Sequence, residues 1–166
     1  MSFLPFPADD EFSPESAAAL AEFQRAHPGP LSNLDRTLLG SAEVFEAYLG
    51  WFRVRDEVVP FLGERAVDLF SLALCRGYGA AYPIAFFEKV LGADAADPAV
   101  TEAEALLLRW GAALGERPTA VPAELTAQVE QTFQPRLRLA LVAYAGLMAA
   151  VCLFTTVGQV PPDDAA

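Results

Sequence analysis

Asp68, Ser71 and Cys75 recur at i, i+3 and i+7 within an otherwise apolar stretch. That spacing puts all three on one stripe of a helix. A carboxylate in apolar surroundings has its pKa pushed up and can serve as a general base. A thiol becomes a nucleophile or redox group where its thiolate is stabilised. The stripe could line a polar-tipped pocket. Equally, Asp68 can pair with Arg65 at i−3, while Arg76 lies too far along and faces solvent. Cys75 falls inside the helical stretch rather than at its start, where a buried cysteine serves as an inert small hydrophobe. The other cysteine, Cys152, is distant in sequence, and the two form neither a Cys-x-x-Cys nor a zinc spacing. A reduced cytoplasmic protein is the simplest reading. His27 is the only histidine, at the end of a helical segment in Ala26-His27-Pro28-Gly29-Pro30. One histidine excludes a multi-histidine metal site and leaves a Ser-His or Cys-His pair unsupported. No metal or cofactor is expected.

The elements that must hold these groups read as helices. Ser13-Pro14-Glu15 is a helix start, with serine as N-cap, proline in the first turn and an acid beside the positive end of the dipole. That helix reaches about Ala26 and stops before Pro28-Gly29-Pro30. Ser32 caps a short second helix ended by Gly40, and Ser41 begins a third whose Val44, Phe45, Tyr48, Leu49 and Phe52 follow the 3.6-residue period. Pro60 and Gly63 mark the next boundary. From Glu64, Val67, Phe70 and Leu74 form one stripe, and Ala66, Leu69 and Ala73 an adjacent one, so Glu64–Tyr78 is a core helix. Gly77 and Gly79 break it. Ala81–Leu91 resumes, with Pro83 tolerated in the first turn. Thr101-Glu102-Ala103-Glu104 is a capping box, Pro122 opens a short helix to about Phe133, and Pro135 opens a last helix stopped by Gly158 and Pro161-Pro162. No strand is expected. The fold class is all-α, a bundle of about six to eight helices. Residues 1–12 are an irregular arm that Phe3, Phe6 and Phe12 could pin to the body, residues 13–161 one domain, and residues 162–166 a tail.

The 166 residues are 54% apolar with a net charge of −11. The acidity argues against nucleic acid and anionic membrane as partners, since both attract Lys and Arg. No basic segment precedes an apolar run at the N-terminus, so no signal peptide is expected. From Leu139 to Gln159 no residue is charged, a run about long enough to cross a bilayer. Its alanine and glycine content and the lack of a companion span favour the buried centre of an α domain instead. Apolar residues in excess of what one domain needs to cover point to a homo-oligomer, most simply a dimer, with its interface on the charge-poor segments.

Gly79-Ala80-Ala81-Tyr82-Pro83 resembles the Gly-Cys-x-Tyr-Cys element of the AhpD-like alkylhydroperoxidases, within the carboxymuconolactone decarboxylase-like superfamily. Asn33-Leu34-Asp35-Arg36-Thr37-Leu38-Leu39 with Ser41-Ala42-Glu43-Val44, the Gly63-Glu64-Arg65-Ala66-Val67-Asp68 helix start, Thr101–Leu106 and the small-residue last helix are similar to that family in order and spacing, over about Asn33 to Pro161. The resemblance implies peroxide reduction by a cysteine pair at a helix start, with glutamate and histidine as proton relay. Ala80 and Pro83 stand at the cysteine positions, Phe87 at the histidine position, and Asp68 near the glutamate. Family members commonly assemble through their core helices.

Two readings follow. In the first, the chain is a catalytically degenerate AhpD-like protein without dithiol peroxidase activity, with a structural or small-ligand-binding role and a small apolar ligand. Tyr82 is then packing with a solvated hydroxyl, and Phe86 and Phe87 are core. In the second, it is an enzyme of that superfamily with relocated chemistry, using Asp68 as general base with Tyr82 as donor, or Cys75 as redox thiol. A closed, well-packed surround of Asp68 favours the first, and an open pocket floored by Asp68 the second.

Overall fold

The structure, a computed structural model, describes residues 3–163. Those residues form an all-α bundle without strands: α1 (Pro14–Ala26), α2 (Asn33–Leu38), α3 (Ala42–Phe52), α4 (Val54–Leu62), α5 (Glu64–Tyr78), α6 (Ala81–Leu91), α7 (Glu102–Glu116), α8 (Ala123–Thr132) and α9 (Pro135–Val157). Short 3₁₀ turns occupy Gly92–Ala95 and Pro118–Ala120. α3 and α4 meet at one residue, Arg53, whose backbone stays helical (φ −57°, ψ −17°). Taken as one bent helix, they leave eight.

Local chemistry sets most boundaries. The hydroxyls of Ser13, Ser32, Ser41 and Thr101 accept the backbone N–H of Ser16, Asp35, Val44 and Glu104. Each satisfies a donor that the first helical turn leaves unpaired. Glu104 returns the favour to the Thr101 N–H at 2.8 Å, completing a capping box. Gly79 takes a left-handed conformation (φ 77°, ψ 27°). The Gly79 N–H donates to Arg76 O at 3.1 Å and the Ala80 N–H to Cys75 O at 3.2 Å. That pair of bonds is a Schellman stop, and it turns the chain from α5 into α6. Pro60 behaves otherwise than its sequence context suggests. It lies inside α4 rather than at a boundary, past the first turn, so it removes one i→i−4 hydrogen bond from the helix.

α5 is the centre of the bundle and is covered by α4, α6, α7 and α9. Val67 and Phe70 are fully buried on it. Its closest partner is α7, because glycines remove the side chains between the two backbones. A Cβ on Gly111 would lie 2.8 Å from Phe70 O, and one on Gly77 2.5 Å from Ala112 O. One on Gly115 would enter the Leu74 carbonyl oxygen.

α9 departs from the expected all-round burial. It is long and apolar enough to cross a membrane by length and composition, yet only half of that span is buried. Leu141, Tyr144, Met148, Cys152 and Thr155 face inward, while Leu139 (73% exposed), Val142, Leu153 and Val157 face out. With both sides apolar, hydropathy could not tell them apart. Two further aromatics differ from expectation. Phe86 is exposed, because α6 buries Phe87 one residue on, roughly 100° around the helix. In the arm Phe3 is exposed and Phe6 half-exposed, and only Phe12 packs against the core. The arm is held chiefly through Arg36, which donates to Pro7 O at 3.0 Å, pairs with Asp9 at 2.6 Å and lies against the Phe6 and Phe12 rings. Of the tail, Pro162 and Asp163 are described; residues 164–166 lie outside the described residues, as do the first two of the arm.

Candidate functional site

The Asp68–Ser71–Cys75 stripe exists and is buried. Asp68 is 8% exposed, and Ser71 and Cys75 are fully buried. Extended one turn back by Glu64, it runs down the side of α5 that meets α4 and α9. Asp68 does not pair with Arg65. Its Oδ1 accepts from the Arg55 guanidinium of α4 at 3.1 Å, and the same Arg55 nitrogen donates to Glu64. Arg65 turns the opposite way, to Asp94 at 2.6 Å, to Glu104 and to Ala99 O at 3.0 Å. A neighbour three residues away on a helix was available, but a cation from another helix reached the buried carboxylate more directly. Arg76 does not simply face solvent either: it donates to Ala95 O at 3.0 Å and pairs with Glu88 at 2.7 Å.

Below Asp68 the network continues through hydroxyls. Ser71 Oγ donates to Val67 O at 2.7 Å and lies 2.9 Å from Tyr144 Oη of α9. With the serine proton committed to Val67, the tyrosine is the donor in that second bond. Burial pushes the Tyr144 phenol up to about 12, opposed by its bond with Ser71. Burial likewise raises the Asp68 carboxyl above the usual carboxylate value, and Arg55 pulls it back. One turn further, Cys152 Sγ of α9 lies 3.6 Å from Cys75 Sγ. The contact with Cys152 and then burial raise the Cys75 thiol, so it is held neutral. A neutral thiol is a poor nucleophile.

The residues of the Gly79–Pro83 element do different work. Ala80 is fully buried as the residue after the α5 stop, and Pro83 is buried in the first turn of α6. Phe87 is core, 6% exposed. Tyr82 is neither solvated nor aimed at the Asp68 stripe. Its hydroxyl donates to Asp163 Oδ2 at 2.8 Å and accepts the Leu34 N–H at 3.2 Å. Asp163 Oδ1 takes the Asn33 N–H at 2.6 Å, and the Asn33 amide holds Pro161 O and Pro162 O at 3.1 Å each. Tyr82 thus fastens the segment after α9 onto the start of α2. Tyr82→Phe should cost about 1–2 kcal/mol, because the Leu34 N–H loses its buried acceptor. Chemical denaturation and faster amide exchange at Leu34 are the readouts, and unchanged values for both would contradict this role. His27 is the exposed end of α1, its ring stacked on Phe23 at 4.6 Å.

Two cavities among the described residues bear on a ligand. One of about 360 Å³ lies between α5, α7 and the Gly92–Ala95 turn, lined by Leu69, Leu72, Ala73, Leu108, Arg76 and Glu116 among others. The second, about 200 Å³, is an apolar groove between α2, α3 and α9 with Leu38, Tyr48, Trp51, Leu147 and Phe154 on its walls. Asp68 lines neither. Among the described residues no three His, Cys, Asp or Glu side chains come together as a metal set.

Arg55, Tyr144, Asn33 and Asp163 carry the polar contacts, and sequence reasoning did not single them out. Arg55 and Asp163 act across elements, where spacing is silent. Tyr144 had a signal: its hydroxyl is the only strongly polar side chain in the middle of an uncharged apolar run, and such a group requires a buried partner.

The geometry defines an all-α bundle with a paired, hydrogen-bonded polar seam through its core. No family model matches the chain, and no curated protein matches it.

Proposed function

We propose that this chain is a catalytically degenerate AhpD-like helical protein, a structural or small-ligand-binding module that works as a homodimer and lacks dithiol peroxidase activity. The observation that supports this best is the state of Asp68. Asp68, one side chain that would carry relocated chemistry, is buried and tied to Arg55, and it lines neither of the two cavities described. A general base needs a substrate proton within hydrogen-bond reach, so the raised pKa of Asp68 does not by itself favour the second reading. The cavity between α5 and α7 has the size of a small-ligand site and suits a small, mainly apolar molecule, with Arg76 and Glu116 on its walls.

Association is supported by the outer side of α9. Leu139, Val142, Leu153 and Val157 continue past half-exposed Trp51 of α3, with no charge between Leu139 and Gln159. A 23-residue helix is about 35 Å long. The uncharged apolar face occupies Leu139 to Val157, roughly 27 Å of that length, beside Trp51. A second copy is the fitting occupant, because a charge-free face is where two chains of net charge −11 can meet.

Two measurements test this reading. Hydroperoxide consumption with a dithiol reductant should stay at the rate without protein, and turnover above it would overturn the non-catalytic assignment. Sedimentation equilibrium at micromolar concentration should give a dimer that Leu153→Glu converts to monomer. A wild-type monomer at every concentration would reject the association.

A further inference from the structure

Cys75 and Cys152 are the chain's two cysteines, 77 residues apart, and both are fully buried with their sulfurs 3.6 Å from each other. They face each other toward the C-terminal ends of two packed helices, α5 and α9, at the end of the polar seam opposite Arg55. A disulfide bond is about 2.05 Å long, so each sulfur would have to travel only about 0.8 Å toward the other. We infer that this pair is a modification site: a dithiol that a hydroperoxide closes into a covalent cross-link between α5 and α9.

The chemistry balances as follows. During a local opening one cysteine, as thiolate, attacks the terminal peroxide oxygen. The O–O bond breaks, giving a sulfenic acid and, after proton uptake, an alcohol, or water when the oxidant is hydrogen peroxide. The sulfur of the second cysteine then attacks the sulfenic sulfur. The S–O bond breaks, the S–S bond forms, and hydroxide leaves with that cysteine's proton as water. Two thiols and one hydroperoxide become one disulfide, one alcohol and one water, with two electrons passing to the peroxide.

The same burial that permits the bond makes it a single event. Cys75 is held as a neutral thiol by its contact with Cys152, so oxidation waits for the α5–α9 contact to open. Once closed, the disulfide lies where a dithiol reductant does not reach it. The inference therefore stands apart from peroxidase turnover: one bond per chain, not a cycle. Its consequence is mechanical. α9 carries the exposed apolar face, and the cross-link would fix that helix to the centre of the bundle. A closed loop of this length removes much freedom from the unfolded chain.

The test uses the full-length reduced chain and hydrogen peroxide in excess, at a temperature just below the unfolding transition so that the thiols become accessible. Intact mass, a non-reducing peptide map and the melting temperature are read. The expected result is a loss of about 2 Da for the two thiol protons, a peptide linking Cys75 to Cys152 within one chain, and a Tm higher by roughly 10 °C. Reductant added in denaturant should reverse all three. Cys75→Ser and Cys152→Ser should each abolish the link and the shift; should either fail to fold, the wild-type peptide map alone decides. Sulfinic acids without a link, disulfides between chains, or unmodified thiols after the same exposure would overturn the inference. So would a link that lowers Tm, since the sulfurs would then meet only by distorting the fold.

Discussion

Gly115→Val should destabilise the protein by about 3 kcal/mol or more, and Gly115→Ala by a smaller amount of the same sign. The reason is the approach of α7 to α5. A Cβ at Gly115 would enter the Leu74 carbonyl oxygen and press on the Tyr78 amide nitrogen at 2.9 Å. Both atoms belong to the backbone of the central helix and cannot rotate aside. Gly111 lies four residues earlier on the same face and meets Phe70 O in the same manner, so the two glycines form a continuous flat contact. Helix propensity works in the opposite direction, since alanine is favoured over glycine by about 1 kcal/mol inside a helix. Gly50 in α3 supplies the control, because nothing lies within 4 Å of its absent side chain. Gly50→Ala should stabilise by about 0.5–1 kcal/mol. Urea unfolding of the three variants decides the matter. Stabilisation by Gly115→Ala would show that α5 and α7 do not approach this closely.

Arg55→Met should cost about 2–3 kcal/mol at neutral pH, less than a fully buried pair because Arg55 retains 19% side-chain exposure. The loss comes mainly from Asp68, left ionised in the core without its cation, and only slightly from Glu64, which is well exposed. The pH dependence identifies the cause. Burial raises the Asp68 carboxyl above the ordinary aspartate value of about 3.8, with Arg55 opposing. A carboxyl with a raised folded-state pKa stabilises the protein most below about 3.8. That contribution is lost as pH rises through the folded-state value. Removing Arg55 raises that value further, so the variant should lie closest to wild type in acid and fall behind as pH increases. Replacing both partners, Arg55→Met with Asp68→Leu, should recover most of the stability, because no buried charge then lacks a partner. A deficit independent of pH, or a double variant no better than the single, would show that Arg55 matters through packing alone.

Much of the local structure was legible in the sequence, for identifiable reasons. Ser13, Ser32, Ser41 and Thr101 act on backbone amides three residues away, and Gly79 is needed where the chain turns left-handed, so each signal lies within a few residues of its effect. The core of α5 was legible because Val67, Phe70 and Leu74 repeat at the helical period beside alanines. Pro60 misled, since α4 packs against α9 and α5 and continues through a proline that its own sequence would treat as a stop.

The candidate site was legible only as a stripe. Spacing put Asp68, Ser71 and Cys75 on one side of one helix, and they are buried together there. Which groups would meet them came from α4 and α9, 13 residues before Asp68, 73 after Ser71 and 77 after Cys75. Tyr82 was noticed for its place in a motif, yet its partner Asp163 lies 81 residues on. Helix boundaries and the buried side of α5 are set by interactions within three to seven residues, so the chain specifies them by itself. The Asp68–Arg55 pair, the thiol contact, the Tyr82 clasp and the outward side of α9 depend on which helices pack together. Close approach of backbones decides that packing, as at Gly111 and Gly115, and hydrophobic period alone does not encode it.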